Sequence, residues 1–261
     1  VLLLLSLAPA SAAPGVQQLD IPVTEPRPAT LTGELLAPTG AGPHPAVILL
    51  HGCGGVTASV RAWARWLQGE GYAALVLDSF SARGLRTVCG NPRPLMGDVR
   101  AHDVFAAAVR LRTLASVDGK RIAAMGFSHG GWTVLWAWRT QGRHPEAGIK
   151  AFIAFYPACR GGLPEGEAPP LLMLLGGQDD WAPPGRCLEL AGAARRAGRP
   201  VTAVLYPDAR HAFDAANLRG LVHIAVARGG KGATIEYNPK AHEDAERQVR
   251  QFLQAQLGPG R

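Results

Sequence analysis

The chain is poor in the residues that mark metal, redox or nucleic-acid proteins. Only four of its 261 residues are cysteine. No two of them stand as C-x-x-C and no Cys/His spacing resembles a zinc site, so neither metal nor cofactor is expected. Charged residues are also sparse, 18% against 47% hydrophobic, which suits a globular core. The formal charge is +7, yet arginine and lysine are spread along the whole chain and no basic run interleaves with aromatics. That pattern is a solvated surface and predicts no nucleic-acid partner. No apolar run is long enough to cross a bilayer, so no stable membrane anchor is expected. Repeats and heptads are absent as well.

The first residues do carry a short apolar stretch, Val1 to Leu7, followed by Ala8-Pro9-Ala10-Ser11-Ala12-Ala13. This is the pattern of an export signal, an h-region and a small-residue cleavage site, with cleavage after Ala12. Residues 1–12 are therefore expected to be a signal-peptide remnant and 13–261 one domain, exported to the periplasm or secreted. In such a compartment the four cysteines should pair, although four allow three connectivities. Cys53–Cys89 and Cys159–Cys187 are favoured, since each would tie one βα loop to nearby sequence around the site. Each closure would contribute roughly 3 kcal/mol. Four buried thiols are the alternative.

Apolar runs at Val16–Val23, Thr30–Leu36, Pro45–Leu50, Tyr72–Leu77, 121–126, Ala151–Tyr156, Leu171–Leu175 and Val201–Tyr206 read as strands. Helical spacing falls between them: around Trp63, Trp66 and Leu67, over 98–115, over 130–139, around 187–197, and from Pro239 onward. Strands alternating with helices call for a mostly parallel central sheet covered by helices on both faces. Ligands of such sheets sit at the carboxyl ends of the strands. Residues 81–97 and 212–235 show no periodicity and are expected to be loops, where substrate selectivity would reside.

One motif stands at such a strand end. Gly126-Phe127-Ser128-His129-Gly130 follows the strand at 121–126 and precedes a helix, the arrangement of the nucleophile elbow of an α/β-hydrolase. A serine hydroxyl is a weak nucleophile, needing a base within hydrogen-bond reach and an acid to orient that base. In α/β-hydrolases the order is serine, acid, histidine. After Ser128, one strand ends in Gly176-Gly177-Gln178-Asp179-Asp180-Trp181-Ala182-Pro183, and the next in Pro207-Asp208-Ala209-Arg210-His211-Ala212-Phe213. Acid and base thus stand on the loops after two successive strands.

G-F-S-x-G-G, then G-G-Q-D-x-x-x-P, then a strand and H-x-F resemble the dienelactone hydrolase family, over about residues 45–257. The resemblance implies an α/β-hydrolase fold and a small ester or lactone substrate. It assigns Ser128 as nucleophile, Asp179 as the acid and His211 as the base, with Asp180 as the second candidate acid. Two backbone N–H groups should stabilise the oxyanion: that of His129, after the nucleophile, and that of Cys53, in His51-Gly52-Cys53-Gly54-Gly55. The family archetype differs in having a cysteine nucleophile and a glutamate where this chain resembles Gly52, so an ordinary Ser-His-Asp triad is expected. The archetype also grips a substrate carboxylate with two arginines. Arg83 resembles one; the other would fall in Ala212-Phe213-Asp214-Ala215, which has none. Phe80, Arg83 and Trp181 are the pocket candidates.

These readings predict an exported serine hydrolase acting through an acyl-Ser128 intermediate, as a monomer or weak homodimer. An acyltransferase or small peptidase could use the same triad. A non-catalytic binding protein of the same fold is the rival from another class.

Overall fold

Along each central strand, successive side chains go to opposite faces, and the runs are apolar throughout because both faces are covered. The computed structural model describes residues 15–164 and 166–260; the expected export signal at 1–12 lies outside them. Eight strands form one sheet: β1 (Val16–Val23), β2 (Ala29–Leu36), β3 (His44–Leu50), β4 (Ala73–Asp78), β5 (Val117–Phe127), β6 (Ile149–Phe155), β7 (Leu171–Gly176) and β8 (Val201–Tyr206). Their order is β1-β2-β4-β3-β5-β6-β7-β8. β1 and β2 pair antiparallel, as do β2 and β4; every other neighbour is parallel.

Ala46, Ile48 and Leu50 of β3 point into one core with Ile122, Ala124, Phe152 and Met173. That core is closed by α2 (Gly97–Arg112), α3 (His129–Thr140) and α4 (Gly185–Arg196). Val47 and Leu49 point the other way, joining Met125, Ile153 and Leu174 under α1 (Ala58–Gly69) and, past the distorted turn α5 (Ala227–Gly230), α6 (Pro239–Leu257). The sheet is thus the expected mostly parallel one with helices on both faces.

Two features depart from the periodicity. α2 ends at Arg112 instead of running to 115, because the chain must turn through Leu114 to start β5 at Val117. The stretch 212–235 is not all loop: β9 (Val222–Ile224) and β10 (Ala233–Ile235) form a two-stranded hairpin. Strands of three residues are too short for alternation to show. The hairpin matters for the site, since Ile235 bridges His211, and the N–H and hydroxyl of Thr234 donate to the carboxylate of Asp180.

Candidate active site

The elbow exists because three residues around Ser128 lack side chains. A Cβ on Gly126 would lie 2.3 Å from the carbonyl oxygen of Gly130, and one on Gly130 would lie 2.2 Å from that of Leu50. A Cβ on Gly131 would come within 2.8 Å of the Phe155 carbonyl. Strand and helix can therefore pass close enough to hold Ser128 at φ 54°, a strained conformation for a residue with a side chain.

Gly176 and Gly177 play the matching part at the end of β7. Cβ atoms there would strike the carbonyls of Ala209 and Pro207 at 2.7 and 2.6 Å. Without them the loop after β8 folds across, fixed by the Gly177 and Gln178 N–H groups to the Tyr206 and Ala209 carbonyls. This crossing carries His211 to Asp179. The N–H of His211 Nδ1 donates to Asp179 Oδ2 at 2.7 Å, and the Ser128 hydroxyl donates to Nε2 at 2.8 Å. A carboxylate only accepts, so it sets the tautomer that leaves Nε2 free to accept. The other oxygen of Asp179 takes the N–H groups of Trp181 and Ala182 at 2.9 and 2.8 Å. Asp180 makes no such contact; it holds the hairpin through Thr234. An arrangement of this kind can pass a proton from hydroxyl to imidazole while a fixed negative charge balances the imidazolium.

Cys53 and His129 flank the serine. His129 is the first residue of α3, where a backbone N–H has no intrahelical acceptor. Among the described residues, no backbone carbonyl takes up the N–H of Cys53 either. The Cys53 carbonyl accepts from Val88 at 2.8 Å, and a disulfide joins Cys53 to Cys89. A second disulfide joins Cys159 to Cys187.

Two hollows meet at Ser128 and His211. One, of about 590 Å³, is bordered by Arg93, Trp132, Arg160, Arg228 and Lys231 and, among the described residues, by no acidic one. Among the described residues none of these four cations has an ion-pair partner. The other, of about 240 Å³, is walled by Val60, Phe127, Tyr156, Leu218, Ile224 and Ile235. Trp181 borders both, its ring 5.0 Å from that of His211.

The other two pocket candidates need correction. Arg83 is turned away from both hollows: its guanidinium donates to the two oxygens of Asp103 at 2.9 and 2.7 Å, and its side chain is only 4% exposed. Phe80 is buried beneath the site, its ring 4.4 Å from that of His51. The pull of a buried carboxylate on Arg83, twenty positions along the chain, has no local trace in sequence.

Residues not anticipated in these roles back the site. Asp214 turns inward, taking the Tyr156 hydroxyl at 2.5 Å and the Trp63 indole N–H at 2.8 Å. Burial pushes its carboxyl above the usual carboxylate range. Tyr156, at φ 35°, lays its ring 4.6 Å from that of His211. On the opposite flank Arg100 is fully buried against His51 and His129. Burial, and then the nearby Arg100 charge, pulls the His129 imidazole down to about 3. The signal that could have marked Arg100 is its place on the same helical stripe as Val104, Ala108 and Leu111.

Sheet order and elbow define an α/β-hydrolase. The narrower assignment comes from sequence: the dienelactone hydrolase family profile matches residues 31–257, and the chain belongs to that family. It is a dienelactone hydrolase-like hydrolase. Proteins of Escherichia coli K12 and Methylorubrum extorquens, both named "Putative carboxymethylenebutenolidase", are similar to it. The first is 29% identical over 217 residues, covering 75% of this chain and 77% of that protein. The second is 26% identical over 197 residues, covering 68% and 66%. Among solved structures, "m3DLH" superposes with a TM-score of 0.71 at 25% identity, over 93% of this chain and 99% of the other. A dienelactone hydrolase-like promiscuous phosphotriesterase from metagenomic libraries gives 0.70 at 20% identity over 94% and 100%, a likeness of fold.

Proposed function

We propose that the protein is a serine carboxylester hydrolase that opens a small ester or lactone through an acyl-Ser128 intermediate. The observation that carries this reading is the unbroken contact from Ser128 Oγ through His211 to Asp179, at 2.8 and 2.7 Å. His211 takes the hydroxyl proton as Oγ bonds to the substrate carbonyl carbon, then gives it to the leaving alcohol oxygen. Water enters in the alcohol's place, loses a proton to His211 and releases the acid, restoring Ser128. The N–H groups of Cys53 and His129 receive the carbonyl oxygen as it gains charge.

The cleft's two halves bear on the substrate. An apolar hollow on one side of Ser128 and a cationic one on the other suit an ester with an apolar part and an acidic substituent. The carboxymethylenebutenolidase names of the relatives fit a lactone of that kind. The cations doing this work would be Arg93, Arg160, Arg228 and Lys231. Export is supported by the two disulfides, which persist in oxidising compartments. No helix among the described residues is long and apolar enough to cross a membrane. Residues 13–261 then act as one catalytic unit.

A fluorophosphonate probe tests the reading directly. Stoichiometric labelling at Ser128, lost in Ser128→Ala, is expected; an unlabelled protein would be a binding module. A panel of p-nitrophenyl esters and lactones, with and without a carboxylate, then identifies the substrate.

A further inference from the structure

Neither the hydrogen-bond relay nor the walls of the cleft explain Arg100. It lies in the first turn of α2 with none of its surface exposed. Among the described residues no carboxylate hydrogen-bonds to it, and both oxygens of neighbouring Asp103 go to Arg83. Burying an ion without such a partner is expensive. Desolvation accordingly lowers the Arg100 guanidinium to about 10. An apolar residue would fill this space at less cost, so the arginine's own contacts deserve weight.

Both contacts come from one nitrogen. Nη1 donates to the carbonyl oxygen of His51 at 2.8 Å and to Nδ1 of His129 at 3.0 Å. His51 opens the segment His51-Gly52-Cys53, and His129 follows the serine. The His129 ring is pinned at its far side too, Nε2–H donating to the Leu95 carbonyl at 2.9 Å. The guanidinium lies 5.1 Å from the centre of the Phe80 ring, and among the described residues its Nε and Nη2 have no hydrogen-bond partner.

We infer that Arg100 is a positioning residue for the oxyanion hole: one guanidinium nitrogen ties together the two segments that supply the Cys53 and His129 N–H donors. Its incompletely neutralised charge lies behind the same two segments. The inference rests on the acyl-serine reading. Because an ester carbonyl is neutral until attacked, the benefit falls on the transition state and leaves ground-state binding alone.

Arg100→Met and Arg100→Lys test this. Each is compared with wild type in kcat/KM on a substrate found by the panel above. Inhibition by a trifluoromethyl ketone is measured alongside. Such a ketone forms a bond from its carbonyl carbon to Ser128 Oγ; the carbonyl π pair becomes an alkoxide and the hydroxyl proton moves to His211. The matching methyl ketone, too weak an electrophile to add, reports ground-state binding. Fluorophosphonate titration counts reactive sites, so loss of folded protein drops out of the comparison.

In Arg100→Met, kcat/KM per site and trifluoromethyl ketone affinity should fall together by about 10- to 100-fold, somewhat less than removing one oxyanion donor. Methyl ketone affinity should stay within about twofold of wild type. Arg100→Lys should lie between, and it carries the test by the same ratios if the methionine variant does not fold. Unchanged trifluoromethyl ketone affinity per site, or equal losses for both ketones, would overturn the inference. A wild type that resists labelling at Ser128 would instead sink the acyl-serine reading itself.

Discussion

Behind His211 lies the carboxylate of Asp214; behind the His51–Cys53 segment lies the guanidinium of Arg100. Both are buried, and they carry opposite charge. Asp214 has a donor on each oxygen, from Tyr156 and Trp63. Arg100 uses one nitrogen twice and leaves two without a partner. A saturated buried ion is held by its surroundings and contributes to packing of the loop behind His211. An undersatisfied one keeps much of its field, which is useful only beside a place where opposite charge develops. The acidic flank is therefore expected to act on stability and the basic flank on rate.

The largest effect lies at the point both flanks support. His211→Ala should lower turnover by at least about 10⁴-fold, because the groups of such a relay act as a unit. Steady-state assays against the substrate panel measure it, and a loss below tenfold would remove the histidine from the chemistry. Next comes the covalent tie on the basic flank. Cys53→Ser with Cys89→Ser opens a loop spanning 36 positions and should cost about 3–4 kcal/mol in a guanidinium melt. Activity should fall with it as the Cys53 segment loosens. An unmoved midpoint would mean that the small cluster of Phe80, Val88 and Leu95 holds the loop alone.

Asp214→Asn tests the acidic flank. An amide offers only one acceptor where two donors now bond, so stability should drop by about 1–3 kcal/mol, with kcat per titrated site within about fivefold of wild type. A tenfold fall in kcat without loss of stability would erase the contrast between the flanks.

The smallest effect is the acid response of the basic flank. Folded His129 takes up a proton only near pH 3, whereas in the unfolded chain it does so near 6.5, the ordinary imidazole value. Between these values the unfolded state binds more protons. Stability is therefore complete above about pH 6.5 and falls as pH drops through this window, by up to about 1.4 kcal/mol per pH unit. Urea midpoints from pH 7 to pH 5 should show the slope, and midpoints that do not move with pH would remove the depressed His129 from the acid response.

Much of the fold was readable because buried parallel strands leave continuous apolar runs, and the eight runs fall within a few residues of the eight strands. The hairpin at 222–235 was not, since its two short strands gain their place from Ile235 on His211 and Thr234 on Asp180. The pocket was the least legible part. Phe80 and Arg83 stand at a strand end as a pocket residue would, yet apolar burial and Asp103 draw them beneath it.

What was written locally in the chain is the set of close approaches: Gly126, Gly130, Gly176 and Gly177 mark where backbone must pass backbone, and steric exclusion of a Cβ leaves its mark residue by residue. The order Ser128, Asp179, His211 follows from strand succession and was equally open to reading. The withdrawal of Arg83, the burial of Arg100 and the gathering of Arg93, Arg160, Arg228 and Lys231 around one hollow were decided only in three dimensions. Charges act through space on whatever the fold brings near, and the partners here lie far apart along the chain or on separate loops, where no periodicity or spacing records them.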